Sequence, residues 1–351
     1  MKNIVPFLYF LMISFFLSAQ QIQPLWERTE PTDGGTGTQY RRLPMVLGDS
    51  FNNVIVCAET YNPGPLIGFV ITKYDSAGNF LWQRRYDTPA QDILTAAVTD
   101  NTGAVYVGGN STNSVTNKTE TLIIKYAATG DTLWQYSLPV ETSSFFNPSA
   151  LLLDTQQNVL VFSNFIDASS GNSGLLIMKL NPDGNIIWTA SYDEGNYGYI
   201  GIDARKVADR YVFWGQIGSS EGNRFFAWQV SDGGETLTTD STDVYTESFG
   251  RGYFIDEFGS LFIGDQYYEY KVTKFDLDGS IDWVYNNPVL LPPSVPSAID
   301  LQSIATTVTG EVLLAGVYND TSGLIGLITK VSTAGEFLWE QKPHTSQSGH
   351  T

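Results

Sequence analysis

Side chains able to do chemistry are few in this chain, and nearly all of them are carboxylates. Its two histidines, His344 and His350, both stand in the last eight of 351 residues. Ser–His–Asp and Cys–His relays, and His-based zinc or iron sites, need an imidazole inside the fold, so these chemistries are set aside. The single cysteine, Cys57, sits in the apolar run Val54-Ile55-Val56-Cys57-Ala58. It reads as a small buried hydrophobe and permits no intramolecular disulfide. Asp276-Leu277-Asp278-Gly279 opens like a calcium loop, but its Gly falls at the fourth position and no Glu follows at the twelfth, so it reads as a turn. What survives is Asp/Glu chemistry of the kind used on polysaccharides, with Asp193 and Glu194, and Asp256 with Glu257 or Asp265, as the pairs available. With 37 acidic against 19 basic residues and a net charge of −18, such pairs read first as solvated surface charge. No cofactor and no metal are expected; a calcium ion held by loop Asp and Glu would be compatible but has no motif behind it. The same charge argues against a nucleic-acid partner, which needs clustered Lys and Arg.

Residues suited to recognition are easier to point to. Asp265, Tyr267, Tyr268 and Glu269 fall within five positions, and Tyr197, Tyr199, Tyr61 and Tyr318 lie in or beside similar connecting segments. Tyr stacking and carboxylate hydrogen bonds suit a glycan or a protein ligand. The competing expectation for each Tyr is that it covers the edge of a sheet.

The elements that would position these residues follow from a repeat. Six segments share a Lys (once Gln), a Gly five residues later and a Trp nine residues later. The first three sets are Lys73, Gly78 and Trp82; Lys125, Gly130 and Trp134; and Lys179, Gly184 and Trp188. The fourth is degraded to Gln229, Gly234 and Thr238, and the last two are Lys274, Gly279 and Trp283, then Lys330, Gly335 and Trp339. The steps between them are 52, 54, 50, 45 and 56 residues. Each set reads as a hairpin: Leu122–Tyr126 extended, Ala127–Asp131 turning, Thr132–Tyr136 returning. A second hairpin precedes each, as in Ala96–Thr99, the turn Asp100-Asn101-Thr102-Gly103, and Val105–Gly109. Four short strands per repeat, with no helical period, predict an all-β propeller of four-stranded antiparallel blades, six of them visible. Small first-strand residues (Ala96-Ala97, Gly201-Ile202, Ile304-Ala305) suit the centre of a ring, and the Trp series suits packing between blades. The repeated Lys is expected to lay its stem on a strand face and keep its ammonium solvated. Leu25-Trp26 resembles one more outer strand, so a seven-bladed ring with strands missing from this sequence is the alternative count. Links between second and third strands vary most (110–121, 165–174, 265–269), which places the expected binding face at that end of the blades.

Residues 1–20, with Lys2, the apolar run Val5–Leu17 and the exit Ser18-Ala19-Gln20, have the layout of a secretory signal. The expected organisation is therefore signal 1–20, propeller 21–341 and tail 342–351. No later segment is apolar for long enough to span a membrane as a helix.

The Asp/Asn-x-x-Gly turn, the Val105-Tyr106-Val107-Gly108-Gly109 strand and the Lys125-Tyr126…Leu133-Trp134 hairpin resemble the SBBP-type β-propeller repeats of bacterial exported proteins, frequent in Bacteroidetes. The resemblance spans residues 25–341. It implies a secreted chain, periplasmic or on the outer surface of a Gram-negative cell, and says little about chemistry. Gly-x-x-x-Trp also resembles, more weakly, the repeat of pyrroloquinoline-quinone propellers, whose members include dehydrogenases and an outer-membrane assembly scaffold. The enzymes of that family imply eight blades and a disulfide, which this chain does not match. The reading is a surface binding or adhesion module, with an assembly scaffold and a carboxylate enzyme as alternatives.

Overall fold

The computed structural model describes residues 45–61, 67–88, 91–112, 119–138, 145–166, 173–193, 198–219, 222–242, 252–265, 271–287, 300–320 and 323–342. The expected signal, Leu25-Trp26, Glu194, Tyr197, Tyr267, Tyr268, Glu269 and both histidines lie outside these residues.

Six antiparallel sheets of four strands follow one another along the chain, each a simple meander. Blade 1 is β1 (Met45–Gly48), β2 (Val54–Tyr61), β3 (Ile67–Tyr74) and β4 (Phe80–Tyr86). Blade 2 is β5 (Asp92–Thr99), β6 (Val105–Thr112), β7 (Thr119–Tyr126) and β8 (Thr132–Leu138). Blade 3 is β9 (Phe145–Leu153), β10 (Val159–Ile166), β11 (Ser173–Leu180) and β12 (Ile186–Tyr192). Blade 4 is β13 (Gly198–Val207), β14 (Arg210–Ser219), β15 (Gly222–Ser231) and β16 (Thr236–Ser241). Blade 5 is β17 (Gly252–Ile255), β18 (Leu261–Asp265), β19 (Lys271–Phe275) and β20 (Ile281–Asn286). Blade 6 is β21 (Asp300–Thr306), β22 (Val312–Asp320), β23 (Gly323–Val331) and β24 (Phe337–Gln341). Among the described residues there is no helix.

The two middle strands are apolar on both faces because both faces are covered. In β14, Tyr211 and Phe213 face blade 3. Val212 and Trp214, the alternate residues, face blade 5. One apolar cluster of this kind lies at each of the five boundaries between successive blades. First strands touch one another from blade to blade (β1–β5, β5–β9, β9–β13, β13–β17, β17–β21), so they are innermost. Their small residues let them converge, and β-bulges at Leu94/Ala96, Gly201/Asp203 and Leu301/Ser303 bend them there.

Candidate functional site

Asp side chains build the turns at one end of the blades. Between β1 and β2, Asp49 Oδ1 accepts the backbone N–H groups of Phe51 and Asn53, both at 2.9 Å. Oδ2 of the same carboxylate accepts Asn53 Nδ2 at 2.8 Å and lies 2.8 Å from Lys73 Nζ. Lys73 is 1% exposed and reaches onward to the Gly103 carbonyl of blade 2 at 2.9 Å. One lysine thus ties its own blade's first turn to the next blade. Lys125 repeats this with Asp100 (3.6 Å) and the Pro182 carbonyl (3.2 Å). Lys179 repeats it with Asp154 (2.9 Å) and with Asp232 of blade 4, whose Oδ1 is at 2.9 Å. This corrects the expectation of a solvated ammonium: in blades 1 to 3 the charge is buried, and a buried cation needs a carboxylate and further acceptors to be tolerated. Burial alone would raise the carboxyls of Asp49 and Asp154, but the hydrogen bonds from Lys and Asn hold both below the usual range.

The Trp series fastens the same boundaries at the outer strands. Trp82, Trp134, Trp188 and Trp283 donate their indole N–H to the carbonyls of Ala128, Pro182, Asp232 and Thr333, each in the third-to-fourth-strand turn of the next blade. Each ring lies on a turn glycine: an added Cβ at Gly130, Gly184, Gly234 or Gly335 would come within 2.9 Å of it. These glycines also hold φ between 86° and 92°, save Gly335 at 80°.

Two glycines of the repeat depart from the docking of a ring on a turn. Gly78, in the β3–β4 turn of blade 1, is buried and has the positive φ of the series, 80°. Its N–H donates to the Asp75 carbonyl at 2.9 Å, which closes the turn. The Trp26 that the sequence offers as its ring lies outside the described residues; among those described, Gly78 closes the turn. Gly279 also keeps φ 80°, but it follows the blade in which Thr238 replaces Trp. In place of a ring, the Ser241 carbonyl stands 2.7 Å from where its Cβ would be.

The Trp positions show corresponding departures. Trp339 is 38% exposed, with no such acceptor among the described residues. In the degraded fourth repeat, Trp214 of the second strand donates to the Gly259 carbonyl at 2.8 Å, in the first turn of the next blade, at the position where Gly103 receives Lys73 in blade 2. Nothing in the repeat spacing pointed to Trp214, because it stands outside the hairpin that carries the pattern.

The boundary between blades 5 and 6 departs from the lysine scheme. Asp256 Oδ1 holds its turn as usual, accepting Phe258 N and Ser260 N at 2.9 Å. Position 260 is Ser, not Asn, and its hydroxyl donates to Asp276 instead. Lys274 does not turn to Asp256 or to blade 6: its Nζ lies 2.7 Å from Asp282 and 3.9 Å from Asp276. Asp256 is 6% exposed, and among the described residues nothing donates to its Oδ2. Burial raises the Asp256 carboxyl, against the N–H groups of Ser260 and Phe258 and the charges of Lys274 and Arg205. Beside it a cleft of 250 Å³ opens, walled by Phe258, Phe262, Trp283 and Val308 with Thr309, Gly310 and Thr333 behind.

This cleft is at the end of the blades opposite the second-to-third-strand links. Those links lie largely outside the described residues, as do Tyr197, Tyr267, Tyr268 and Glu269, while Asp265 ends β18 on that side. Tyr199 is described and is buried: it packs edge-on to Tyr192 and Phe226 in the core between blades 3 and 4, so its ring covers a sheet instead of facing a ligand. Asp256 lies in the turn that leads into β18, and Asp265 ends that strand at its far side. About 13 Å of strand separates their backbones, more than a glycosidase carboxylate pair spans. Among the described residues no group of three His, Cys, Asp or Glu is placed to hold a metal. Cys57 is buried and its thiol is pushed up to about 12 by that burial, so it is an inert core residue.

The chain is similar in fold to several solved structures. A protein of unknown function from Dyadobacter fermentans superposes with a TM-score of 0.51 at 10% identity, covering 83% of this chain and 96% of that one. A prolyl endopeptidase superposes at 0.54 and 11%, covering 86% of this chain but 41% of that one. A puromycin hydrolase superposes at 0.51 and 11%, covering 88% and 55%. No family model and no curated protein matches the chain. Six meandering four-stranded blades with these neighbours make the chain a β-propeller module.

Proposed function

We propose that this propeller is a secreted or cell-surface binding module for a protein or glycan ligand. The observation that carries the reading is the break in the repeat between blades 5 and 6. Residues that recur in every blade serve the scaffold alike, whereas discrimination requires residues that differ between blades. There the fastening lysine is diverted, and a polar and aromatic cleft is left open. The links carrying Asp265, Tyr267, Tyr268 and Glu269 offer variable residues at the opposite end.

The test is binding of residues 21–351 to immobilised glycan and peptide arrays, followed by analysis of what is retained. Retention of one class, chemically unchanged, is the expected result. Retention of neither class overturns the reading, and cleavage of a retained oligosaccharide replaces it with a carboxylate enzyme.

A further inference from the structure

From this cleft we infer that the site between blades 5 and 6 takes the cationic side chain of a basic protein segment, seated where the repeated lysine sits in blades 1 to 3. The inference rests on the proposed binding function and names the class of ligand.

The seat is defined by its occupied copies. In each, an ammonium lies between the spare oxygen of a turn Asp and a carbonyl of the next blade: Lys73 between Asp49 and Gly103, Lys125 between Asp100 and Pro182, Lys179 between Asp154 and Asp232. Every part of that seat recurs at the fifth boundary. Asp256 occupies the turn position of Asp49, Asp100 and Asp154, with the same pair of N–H bonds to Oδ1. Gly310 corresponds to Gly103 and Thr333 to Pro182 and Asp232, and both line the cleft. The cation is displaced within the cleft: Lys274 lines it with Nζ 5.9 Å from the Phe262 ring centroid, held by Asp282, one residue before Trp283, and Asp256 is left without it.

Two features allow an outside group to enter. Blade 5 has Ser260 where blades 1 and 3 have Asn53 and Asn158, whose amides cap Oδ2 of their Asp residues at 2.8 Å and 2.7 Å. Val308, in the first turn of blade 6, is fully exposed at the rim. Asp256 is 6% exposed and its Oδ2 has no protein donor among the described residues, so the charge-assisted bond of an incoming N–H, one of the stronger kinds, would form there with little water to displace. The Phe258 and Trp283 side chains that line the cleft suit the alkyl stem and the charge of Lys or Arg. Around the seat, the carboxylates of Asp256, Glu257, Asp276 and Asp282 outnumber Lys274 and Arg205. The net charge of −18 steers a basic segment toward the molecule.

The experiment titrates residues 21–351 with hexalysine, with hexaglycine and hexaglutamate as controls, by calorimetry at 50 mM and 300 mM salt. Three variants are carried through the same titration and through thermal unfolding. Hexalysine should bind and the controls should not. Asp256→Asn should weaken hexalysine at least tenfold, and its melting temperature should stay level or rise, since Asn keeps the Oδ1 that holds the turn. Asp154→Asn, which strands buried Lys179, should melt lower. Asp183→Asn removes an exposed charge from a blade 3 turn and should leave hexalysine binding unchanged. Equal loss in Asp183→Asn and Asp256→Asn would show unspecific attraction and overturn the inference. So would a melting temperature of Asp256→Asn lowered as in Asp154→Asn, or its failure to fold, either of which would show that the carboxylate holds the fold. Retention of a glycan together with no hexalysine binding would overturn this inference and leave the binding reading intact.

Discussion

At the scale of the residue, charge is placed inside this protein more than its repeat pattern suggests. Lys73, Lys125 and Lys179 are buried with carboxylates, and breaking such a pair from one side strands a charge at a cost of about 3–5 kcal/mol. The partners change together at two other blades of this chain. Where Lys becomes Gln229, the first turn is the short Val207-Ala208-Asp209-Arg210 hairpin with no Asp at the seat. Where blade 6 has Thr307 in place of Asp, Glu311 moves in, 2.7 Å from Lys330. Asp203, at the bulge of innermost β13, has no cation paired to it at close range among the described residues, and burial pushes its carboxyl from 3.8 up to about 6. The sign follows from that rise. Below pH 3.8 the carboxyl is neutral in both folded and unfolded chains and imposes nothing; as pH climbs through 6 the folded state loses stability relative to the unfolded one. Asp49 and Asp154, held low, act in the opposite sense, losing their contribution only as pH falls. Asp203→Asn keeps an oxygen for the Ala204 N–H and should therefore be more stable than the parent at pH 7, by about 2 kcal/mol, with the gain gone near pH 3.5. Urea denaturation at the two pH values checks this, and an equal gain at both would remove Asp203 as the titrating group.

At the scale of the element, a blade boundary is a hairpin turn receiving a tryptophan. The turn glycine has two reasons to be there: its positive φ, and the ring lying where a Cβ would go. Gly184 has φ 86° and the Trp134 ring 2.9 Å from the Cβ position, whereas Gly48 has nothing within 4 Å. Gly184→Ala should cost about 2–4 kcal/mol, and Gly48→Ala should change stability by no more than about 0.5 kcal/mol. Trp134→Ala should cost about 3–5 kcal/mol, while Trp339→Ala, on an exposed ring, should cost under about 1 kcal/mol. Guanidinium unfolding of the four variants measures these differences. A Trp339→Ala loss equal to that of Trp134→Ala would mean that the sixth outer strand is also docked on a blade. The hairpins and their glycines, Gly78 and Gly279 included, were legible in the sequence, since β-branched runs flanking Asx-Gly turns are local signals. Which of those glycines receives a ring was not, because the ring comes from the preceding blade. Trp214 was equally hidden: in the blade where Gln229 replaces Lys, it reaches from the second strand to the first turn of the next blade, a distance set by packing.

At the scale of the whole molecule, the excess of negative charge should act against the compact state. Self-repulsion over distances of about 30 Å is felt at 10 mM salt and is largely screened at 300 mM, where the Debye length is about 6 Å. The melting temperature should therefore rise by about 2–5 °C between these salts at pH 7, a shift that differential scanning calorimetry would resolve. A fall would mean that exposed ion pairs such as Lys274–Asp282 outweigh repulsion. By itself the sequence determined the blade count visible here, the strand and turn identities, the interblade role of the Trp series and the core position of Cys57. These follow from hydrophobic period, turn chemistry and spacing, all local along the chain. Only the tertiary structure decided that the repeated lysines are buried clamps, that Tyr199 belongs to the core, and that the open cleft lies between blades 5 and 6 at the Asp-turn end. Each of these depends on which oxygen of one blade meets which side chain of the next, and residues about fifty positions apart are brought together by stacking of blades that no local pattern encodes.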